Sequence, residues 1–192
     1  MDLRTYLSSR RTIPSAQLAG PGPDRQQCCE LLTLASRSPD HGKLVPWRFI
    51  VLEAEGRQKL GAFCVEREKA IARSEGRVLS DAEINKTATV FSNAPLVIVL
   101  VSTADAHGKI PLWEQQLAAG AVGMNLLHAS KALGFSAQWL TGWMAYDEQV
   151  TALLGLSGAE RIAGFFHIGT AQQPPVERAR PDIAAITTNW PA

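Results

Sequence analysis

Six consecutive residues, Leu96-Val97-Ile98-Val99-Leu100-Val101, carry no polar side chain. Val97, Ile98, Val99 and Val101 are β-branched, and the run is too short for an ordinary helix. It reads as a strand buried on both faces. Such a strand needs cover on two sides, and helices are the available cover. Helical segments come in runs of two between the strands, which argues for an α+β fold rather than strict βαβ alternation. The 192 residues fit one domain, 1–192. Its tail, about 172–192, holds Pro174, Pro175, Pro181 and Pro191 and is expected to be extended.

Other elements follow from periodicity and caps. A first helix is expected over about Asp2–Ser9, with Asp2 as cap and Leu3 and Leu7 at i, i+4. Gly20-Pro21-Gly22-Pro23 is a connector. Asp24 and Gln27 form a capping-box pattern, followed by Cys28, Leu31, Leu32 and Ala35 at helical spacing. That helix ends near Arg37, because Pro39 pushes Ser38 out of the α region. Trp47–Glu53 reads as a strand. A helix from about Glu55 to Ser74 is expected to bury Leu60, Phe63, Cys64 and Ile71. Ser80 and Glu83 open another helix, to about Phe91. Trp113–Leu133 is the longest helical segment, ending at Gly134. Its Ala118, Ala119, Gly120, Ala121 and Gly123 permit close approach, so it belongs at the centre or at a subunit interface. Ser136–Leu140 and Arg161–Thr170 read as strands, with a capped helix over Asp147–Leu154 stopped by Gly155.

Charge and motifs exclude several classes. The net charge is +1, so no general electrostatic field points to nucleic acid or an anionic membrane. Cys28, Cys29 and Cys64 form no CxxC pair, no His cluster has metal-ligand spacing, and no metal is expected. The unpatterned cysteines suit a reducing compartment. No apolar h-region follows Met1, and no run of about 18 apolar residues exists to span a membrane. The expected location is the cytoplasm. GxGxxG, Walker, GxSxG and HExxH patterns are all absent. The Pro residues disqualify the Gly20–Pro23 stretch as a phosphate loop, since proline has no N–H to donate.

Chemistry concentrates in a split polar constellation. Ser9-Arg10-Arg11-Thr12 closes the first helix, and Arg37-Ser38-Pro39-Asp40-His41 closes the second. Two guanidiniums and a hydroxyl can hold a phosphate dianion through paired, charge-assisted hydrogen bonds. The second turn, just before a strand, can contact the rest of a phosphorylated ligand. Simpler readings stand beside these. Arg10 and Arg11 can complement the first helix's C-terminus, for about 0.3–1 kcal/mol. His41 can be a solvated turn residue, and Trp113, Trp139 and Trp143 can be core or interface aromatics. Glu114 and Gln115 can simply favour a helix dipole. His107, His128 and His167 have no pattern and read as structural.

The order of these pieces resembles the nitroreductase family. The resemblance rests on Arg10-Arg11-Thr12, Arg37-Ser38-Pro39-Asp40-His41, Pro46-Trp47-Arg48-Phe49, Trp113-Glu114-Gln115, Gly134-Phe135 before Trp139, and Gly164 to Gly169-Thr170. It runs from the first helix to Thr170 and is strongest toward the small, single-domain, FMN-dependent NAD(P)H nitroreductases. It implies a mostly antiparallel central sheet flanked by helices, in an intertwined homodimer with FMN at the interface. It also implies a ping-pong reaction in which NAD(P)H reduces the flavin and an acceptor then reoxidises it. The flavin carries the chemistry, so no catalytic dyad is expected in the protein.

By the same resemblance, Arg10, Arg11 and Thr12 take the FMN phosphate and ribityl chain, either of the chain's own flavin or of the one held mainly by the other subunit, and Arg37 and His41 approach the flavin. Trp139, Leu140 and Thr141 lie along the ring. Ala129, Ser130, Lys131, Ala132, Leu133 and Gly134 fall in the segment assigned to the nicotinamide nucleotide. Arg178 and Arg180 stand where some relatives reach back to the phosphate, although a solvated tail is the plainer reading. Two positions depart from the pattern: Val45 replaces a Gln common in relatives, and Leu140 stands where relatives are often polar or basic. The implied activity is reduction of nitro compounds, quinones or a related small-molecule acceptor with NADH or NADPH. The alternative is a flavin-binding or flavin-sequestering protein with little turnover.

Overall fold

The computed structural model describes residues 2–106 and 108–190. The six-residue apolar run lies within a strand, Leu96–Ser102. Its odd and even positions point into different cores. Leu96, Ile98 and Leu100 join one cluster, and Val97, Val99 and Val101 join the other. All six are at most 8% exposed. The expectation of burial on both faces is met.

In chain order the helices are α1 (Leu3–Ser9), α2 (Arg25–Ala35), α3 (Ala54–Ser74), α4 (Asp81–Thr89), α5 (Leu112–Ala132) and α6 (Glu148–Leu153). The strands are β1 (Leu18–Ala19), β2 (Trp47–Leu52), β3 (Leu96–Ser102), β4 (Ser136–Leu140) and β5 (Arg161–Ala171). The sheet runs β1-β5-β3-β2, with β4 also paired to β5. Every pairing is antiparallel. This is the α+β architecture expected above. One face of the sheet carries α5 and α2, and the other carries α3, α6 and Phe91.

Local chemistry explains the helix starts. Asp2 caps α1 through Thr5 N–H at 3.0 Å. Both reciprocal capping boxes form, Asp24 with Gln27 and Ser80 with Glu83. Asp147 caps α6 and is also held by Arg67, with Nη2 2.6 Å from Oδ2. That guanidinium holds the Asp147 carboxyl below its ordinary range. Gly134 (φ +88°) and Gly155 (φ +73°) end α5 and α6 in left-handed conformations.

The packing of α5 on the sheet is close. A Cβ on Gly123 would stand 2.7 Å from the Trp139 indole, and one on Gly164 would stand 2.0 Å from it. The register of β3 against β5 slips after Leu100↔Gly164, leaving Ala163 as the extra residue. Its carbonyl accepts from the Trp139 indole N–H at 2.9 Å. Burial of the large indole is therefore compatible with its polar atom.

Several sequence expectations need correction. Phe63 and Ile71 are half-buried rather than buried, because α3 turns only Leu60, Gly61, Cys64 and Ala72 fully inward. Leu3 and Leu7 of α1 are exposed. The short strand β1 and the 3-10 turns at Ser15–Gln17, His41–Lys43, Trp143–Ala145 and Ala184–Ile186 carry no periodicity that would have announced them. His107 and Pro191 lie outside the described residues. From Gln172 to Trp190 the chain is exposed and mostly without regular structure.

His167 of β5 is fully buried, stacked on Phe91 at 6.1 Å between ring centroids. Neither ring nitrogen has a hydrogen-bond partner among the described residues. Burial, reinforced by the Arg57 guanidinium, pushes this imidazole down to about 4 from 6.5. The folded state keeps it neutral while the unfolded state protonates it below pH 6.5. Its contribution is therefore complete above pH 6.5 and is lost as pH falls toward 4, by up to about 3 kcal/mol. His128, also lowered by burial, acts in the same direction. Thermal midpoints should fall between pH 6.5 and 5, and His167→Phe should flatten that slope. An unchanged slope in the variant would assign the acid sensitivity elsewhere. A second expectation concerns Gly164→Ala. It must displace the indole from Ala163 and should cost about 3 kcal/mol or more, read by denaturant unfolding.

Candidate functional site

Two adjoining cavities lie where α1, the C-terminal half of α5 and the base of the tail meet. The first has a volume of about 460 Å³ and is walled by Arg10, Arg11, Lys131, Phe135, Gln172 and Pro174, among others. The second, about 890 Å³, is a groove between α1, α2 and α5 that includes Leu7, Leu34, Arg37, Asn125, His128 and Ala132. Tyr6 and Lys131 line both.

The chain places these side chains through a few anchors. Ile13 is buried with Leu18 and Ala94, and Ser15 N–H donates to Gln138 Oε1 at 2.6 Å. The first seats the segment after α1 against β1 and Ala94 and the second moors it to β4, leaving Arg10 and Arg11 at the cavity wall. On the groove side, Asn125 Nδ2 donates to the carbonyls of Ala35 (3.2 Å) and Arg37 (3.0 Å). This satisfies the end of α2 and holds Arg37 beside α5. Tyr6 and His128 form the partition. Their rings pack edge to face at 5.4 Å, and Tyr6 Oη lies 2.9 Å from His128 Nδ1. Burial raises the Tyr6 hydroxyl's pKa and lowers that of His128, which the nearby Arg10 charge depresses further.

The cations of the first cavity are thinly engaged. The Arg10 guanidinium and the Lys131 ammonium make no hydrogen bond or ion pair among the described residues. Arg11 donates to Val176 O at 3.2 and 3.3 Å and lies 3.5 Å from the exposed Glu177 carboxylate. Such an exposed pair is worth about 1 kcal/mol at most. Arg180 donates to Arg10 O at 3.2 Å, so the tail does return to the Arg pair. Arg178 is exposed, and only its backbone N–H is engaged, by Glu177.

Other expected residues lie apart. Thr12 is exposed and lines neither cavity. Ala129, Lys131 and Ala132 line the groove, but Ser130 does not. It is fully buried, and its hydroxyl donates to Leu126 O at 2.7 Å within α5. The helical period turns Ser130 fully inward, beside the nearly buried Ala129. Leu133 and Gly134 form the end of α5 outside both linings. The Trp139 side chain is half-buried and packs against the core, with its indole N–H already engaged by Ala163 O. Leu140 and Thr141 follow at the end of β4, half-buried and outside both cavities. Tyr6 is the residue that sequence reasoning missed, and His128 was read only as structural. Their i, i+122 pairing leaves no local signal.

The polar turn before β2 forms a separate outpost. His41 Nδ1 lies 2.6 Å from Glu114 Oε2 at the start of α5. Asp40 Oδ2 accepts from Val45 N–H at 2.8 Å. Gly42, Lys43 and Val45 all have left-handed backbones, with φ of +75°, +56° and +51°. For a β-branched residue such as Val45 this is an outlier. The Ser38 hydroxyl is buried without a partner among the described residues.

Comparison with known proteins decides the family. Residues 7–170 match the nitroreductase family. The chain belongs to that family. It is 34% identical over 172 residues to the Escherichia coli (strain K12) protein named "Putative NAD(P)H nitroreductase YdjA", covering 90% of each chain. Among solved structures it resembles a nitroreductase-like family protein from Bacillus cereus, with a TM-score of 0.83, 22% identity, and 100% and 97% of the two chains covered. It also resembles a mutant of the FMN and NADPH-dependent nitroreductase NfnB from sphigopyxis sp. strain HMH, with a TM-score of 0.72, 20% identity and full coverage of both chains.

The donor set fits the phosphate end of FMN. Three cationic side chains face one cavity, two of them without a protein partner among the described residues. The forked Arg geometry suits phosphate oxygens. No group of His, Cys, Asp or Glu that could hold a metal occurs among the described residues. No helix there is long and apolar enough to cross a membrane.

The strained turn yields a prediction independent of any ligand. Val45 is 54% exposed, so its side chain contributes little by burial. Asparagine tolerates the left-handed region better, and Val45→Asn should raise stability by about 1 kcal/mol. A midpoint of unfolding that stays level or drops would show that the turn carries no such strain.

Proposed function

We propose that this nitroreductase-family chain is an FMN-dependent oxidoreductase. It uses NADH or NADPH to reduce nitro compounds, quinones or a related electron-poor acceptor. The observation that carries the reading is the meeting of Arg10, Arg11 and Lys131 on one cavity, opening beside a groove edged by Arg37. Flavin, once bound, supplies the redox chemistry by accepting hydride and passing electrons on. The chain's own work is to hold and orient. Arg10, Arg11 and Lys131 would neutralise the phosphate, with Arg180 of the tail close behind. Arg37 and the residues Ala129, Lys131 and Ala132 would accommodate the nucleotide in the groove. The main chain at Trp139, Leu140 and Thr141 would border the ring. An open groove suits reductant and acceptor taking turns in one space, as a ping-pong scheme requires.

A homodimer is part of the proposal. Leu3, Leu7 and Leu34 flank the groove, Trp113 and Leu117 lie on α5, and Ile183, Ile186 and Trp190 lie on the tail, all exposed. Apolar surface at these places suits cover by a second copy. A single domain over 1–192 and a cytoplasmic setting complete the reading.

One observation favours a second reading, a flavin-sequestering protein with little turnover. Val45, at a place where the family resemblance implies a Gln in many relatives, offers a bound flavin no side-chain hydrogen bond. One experiment separates the two. Purified protein should bind FMN, turn yellow, and bleach when titrated anaerobically with NADH or NADPH. Tight FMN binding with no reduction by either nucleotide would favour sequestration, and failure to take up FMN would reject both. Arg10→Ala should cost about 1.5–3 kcal/mol of FMN affinity through one lost charge-assisted contact. An unchanged dissociation constant would place the phosphate elsewhere.

A further inference from the structure

We propose that Glu177 is an internal anion that masks the cationic cavity and must be displaced before a phosphorylated ligand can seat. The inference rests on the reading above for the identity of that ligand, but it requires only an anion in the cavity. The observation behind it is a clasp between the tail and the end of α1. Arg11 Nε and Nη2 donate to Val176 O at 3.3 and 3.2 Å, and Arg11 Nη1 lies 3.5 Å from Glu177 Oε1. The same carboxylate oxygen lies 3.5 Å from Arg180 Nη2, which also donates to Arg10 O at 3.2 Å. One carboxylate thus serves two guanidiniums at once, as a phosphate group can. The Arg178 backbone N–H donates to Glu177 Oε1 at 2.8 Å. That bond, with the Arg11 and Arg180 charges, holds the Glu177 carboxyl below its ordinary range, so it is ionised at neutral pH.

The clasp is anchored at its base and weak beyond it. Gln172 N–H donates to Gln17 O at 2.9 Å, and Gln172, Gln173, Pro174 and Pro175 form part of the cavity wall. Past that point no apolar burial holds the tail down: Val176, Ile183, Ile186 and Trp190 are all exposed. The Arg11 side chain is only 13% exposed, whereas that of Glu177 is 71% exposed. Water therefore reaches the carboxylate that covers the cation, and such a pair is easily exchanged. A phosphate dianion brings more charge and pairs better with the Arg fork than one carbonyl and one distant carboxylate do. Displacing Glu177 uncovers Arg11 and frees Arg180 from its ion pair in a single event. An uncharged ligand gains nothing from that exchange. The clasp lowers the apparent affinity for anions by the fraction of time it is closed, and so sets a charge threshold for entry.

The test is a set of titrations with inorganic phosphate, FMN and riboflavin at fixed ionic strength. The proteins are wild type, Glu177→Gln, Arg11→Ala/Arg180→Ala, and the triple variant that adds Glu177→Gln to that pair. Thermal midpoints without ligand check folding. Glu177→Gln removes the charge at nearly constant shape and should tighten phosphate and FMN binding about three- to fivefold. Riboflavin, which lacks the phosphate, should bind Glu177→Gln and wild type alike. In the Arg11→Ala/Arg180→Ala background the same change should have no effect, because the cations it unmasks are gone. Unchanged or weaker binding of phosphate and FMN by Glu177→Gln overturns the proposal. So does a gain that persists without Arg11 and Arg180, which marks a through-space field rather than a clasp. Phosphate binding that tightens in Glu177→Gln, in protein that takes up no FMN, upholds the clasp and rejects the flavin reading. FMN uptake that is indifferent to Glu177 does the reverse, so the two failures are distinguishable.

Discussion

The close approach of α5 to the sheet, made possible by Gly123 and Gly164 around the Trp139 indole, is the constraint on which the site depends. With the indole seated there and bonded to Ala163 O, α5 has one depth and one rotation available. Its buried face is then Ala118, Ala119, Val122, Leu126 and Ala129. The next residues around the helix, Asn125, His128, Lys131 and Ala132, emerge on the groove side. The candidate functional surface is thus the complement of a packing decision made one helical face away. Small residues on α5 are not themselves a site, but they determine where the site's polar residues surface.

The protein treats its charges in two ways. Arg48 and Glu160 form a fork-to-carboxylate pair at 2.6 and 2.9 Å, and Arg67 holds the Asp147 cap. These guanidiniums are structurally committed. Arg10 and Lys131 have no such commitment, and Arg11 is met only by the tail. Cations that a fold leaves unengaged at a cavity wall, in a chain of net charge +1, are local devices rather than part of a basic field. Two of the three cysteines, by contrast, are held away from thiolate chemistry. Cys64 is fully buried and pushed up to about 12, and burial raises Cys28 as well.

Much of the fold was legible because its signals are local. The apolar run at Leu96–Val101, the capping boxes at Asp24 and Ser80, and the glycine stops at Gly134 and Gly155 each involve neighbours in sequence. The site was legible only in part. Arg10, Arg11, Arg37, Lys131 and Ala132 could be named from motif order, and the structure gathers them at the two cavities. Ser130 and Trp139 could not be sorted correctly, because facing in or out depends on helix rotation and on a bulge at Ala163 that no residue announces. The Tyr6–His128 partition was invisible for a related reason. It is a tertiary contact between two residues that each look ordinary.

If the phosphate lies where we propose, the absence of a phosphate-loop fingerprint also has a physical explanation. Anion sites that show in sequence use helix N-termini, where free N–H groups and the dipole favour negative charge. The cavity here lies by the opposite ends. Arg10 is the C-cap of α1, and Lys131 stands in the last turn of α5. Helix C-termini carry partial negative charge and repel a phosphate. A dianion can be held there only if side-chain cations outweigh that repulsion. This calls for several of them from different elements, converging without a shared local motif. Arg10 and Arg11 from the end of α1, Lys131 from α5, and Arg180 from the returning tail form such a set. Without a ligand, the same cations are stabilised by the helix ends they sit on, so the fold can keep them unpaired at little cost.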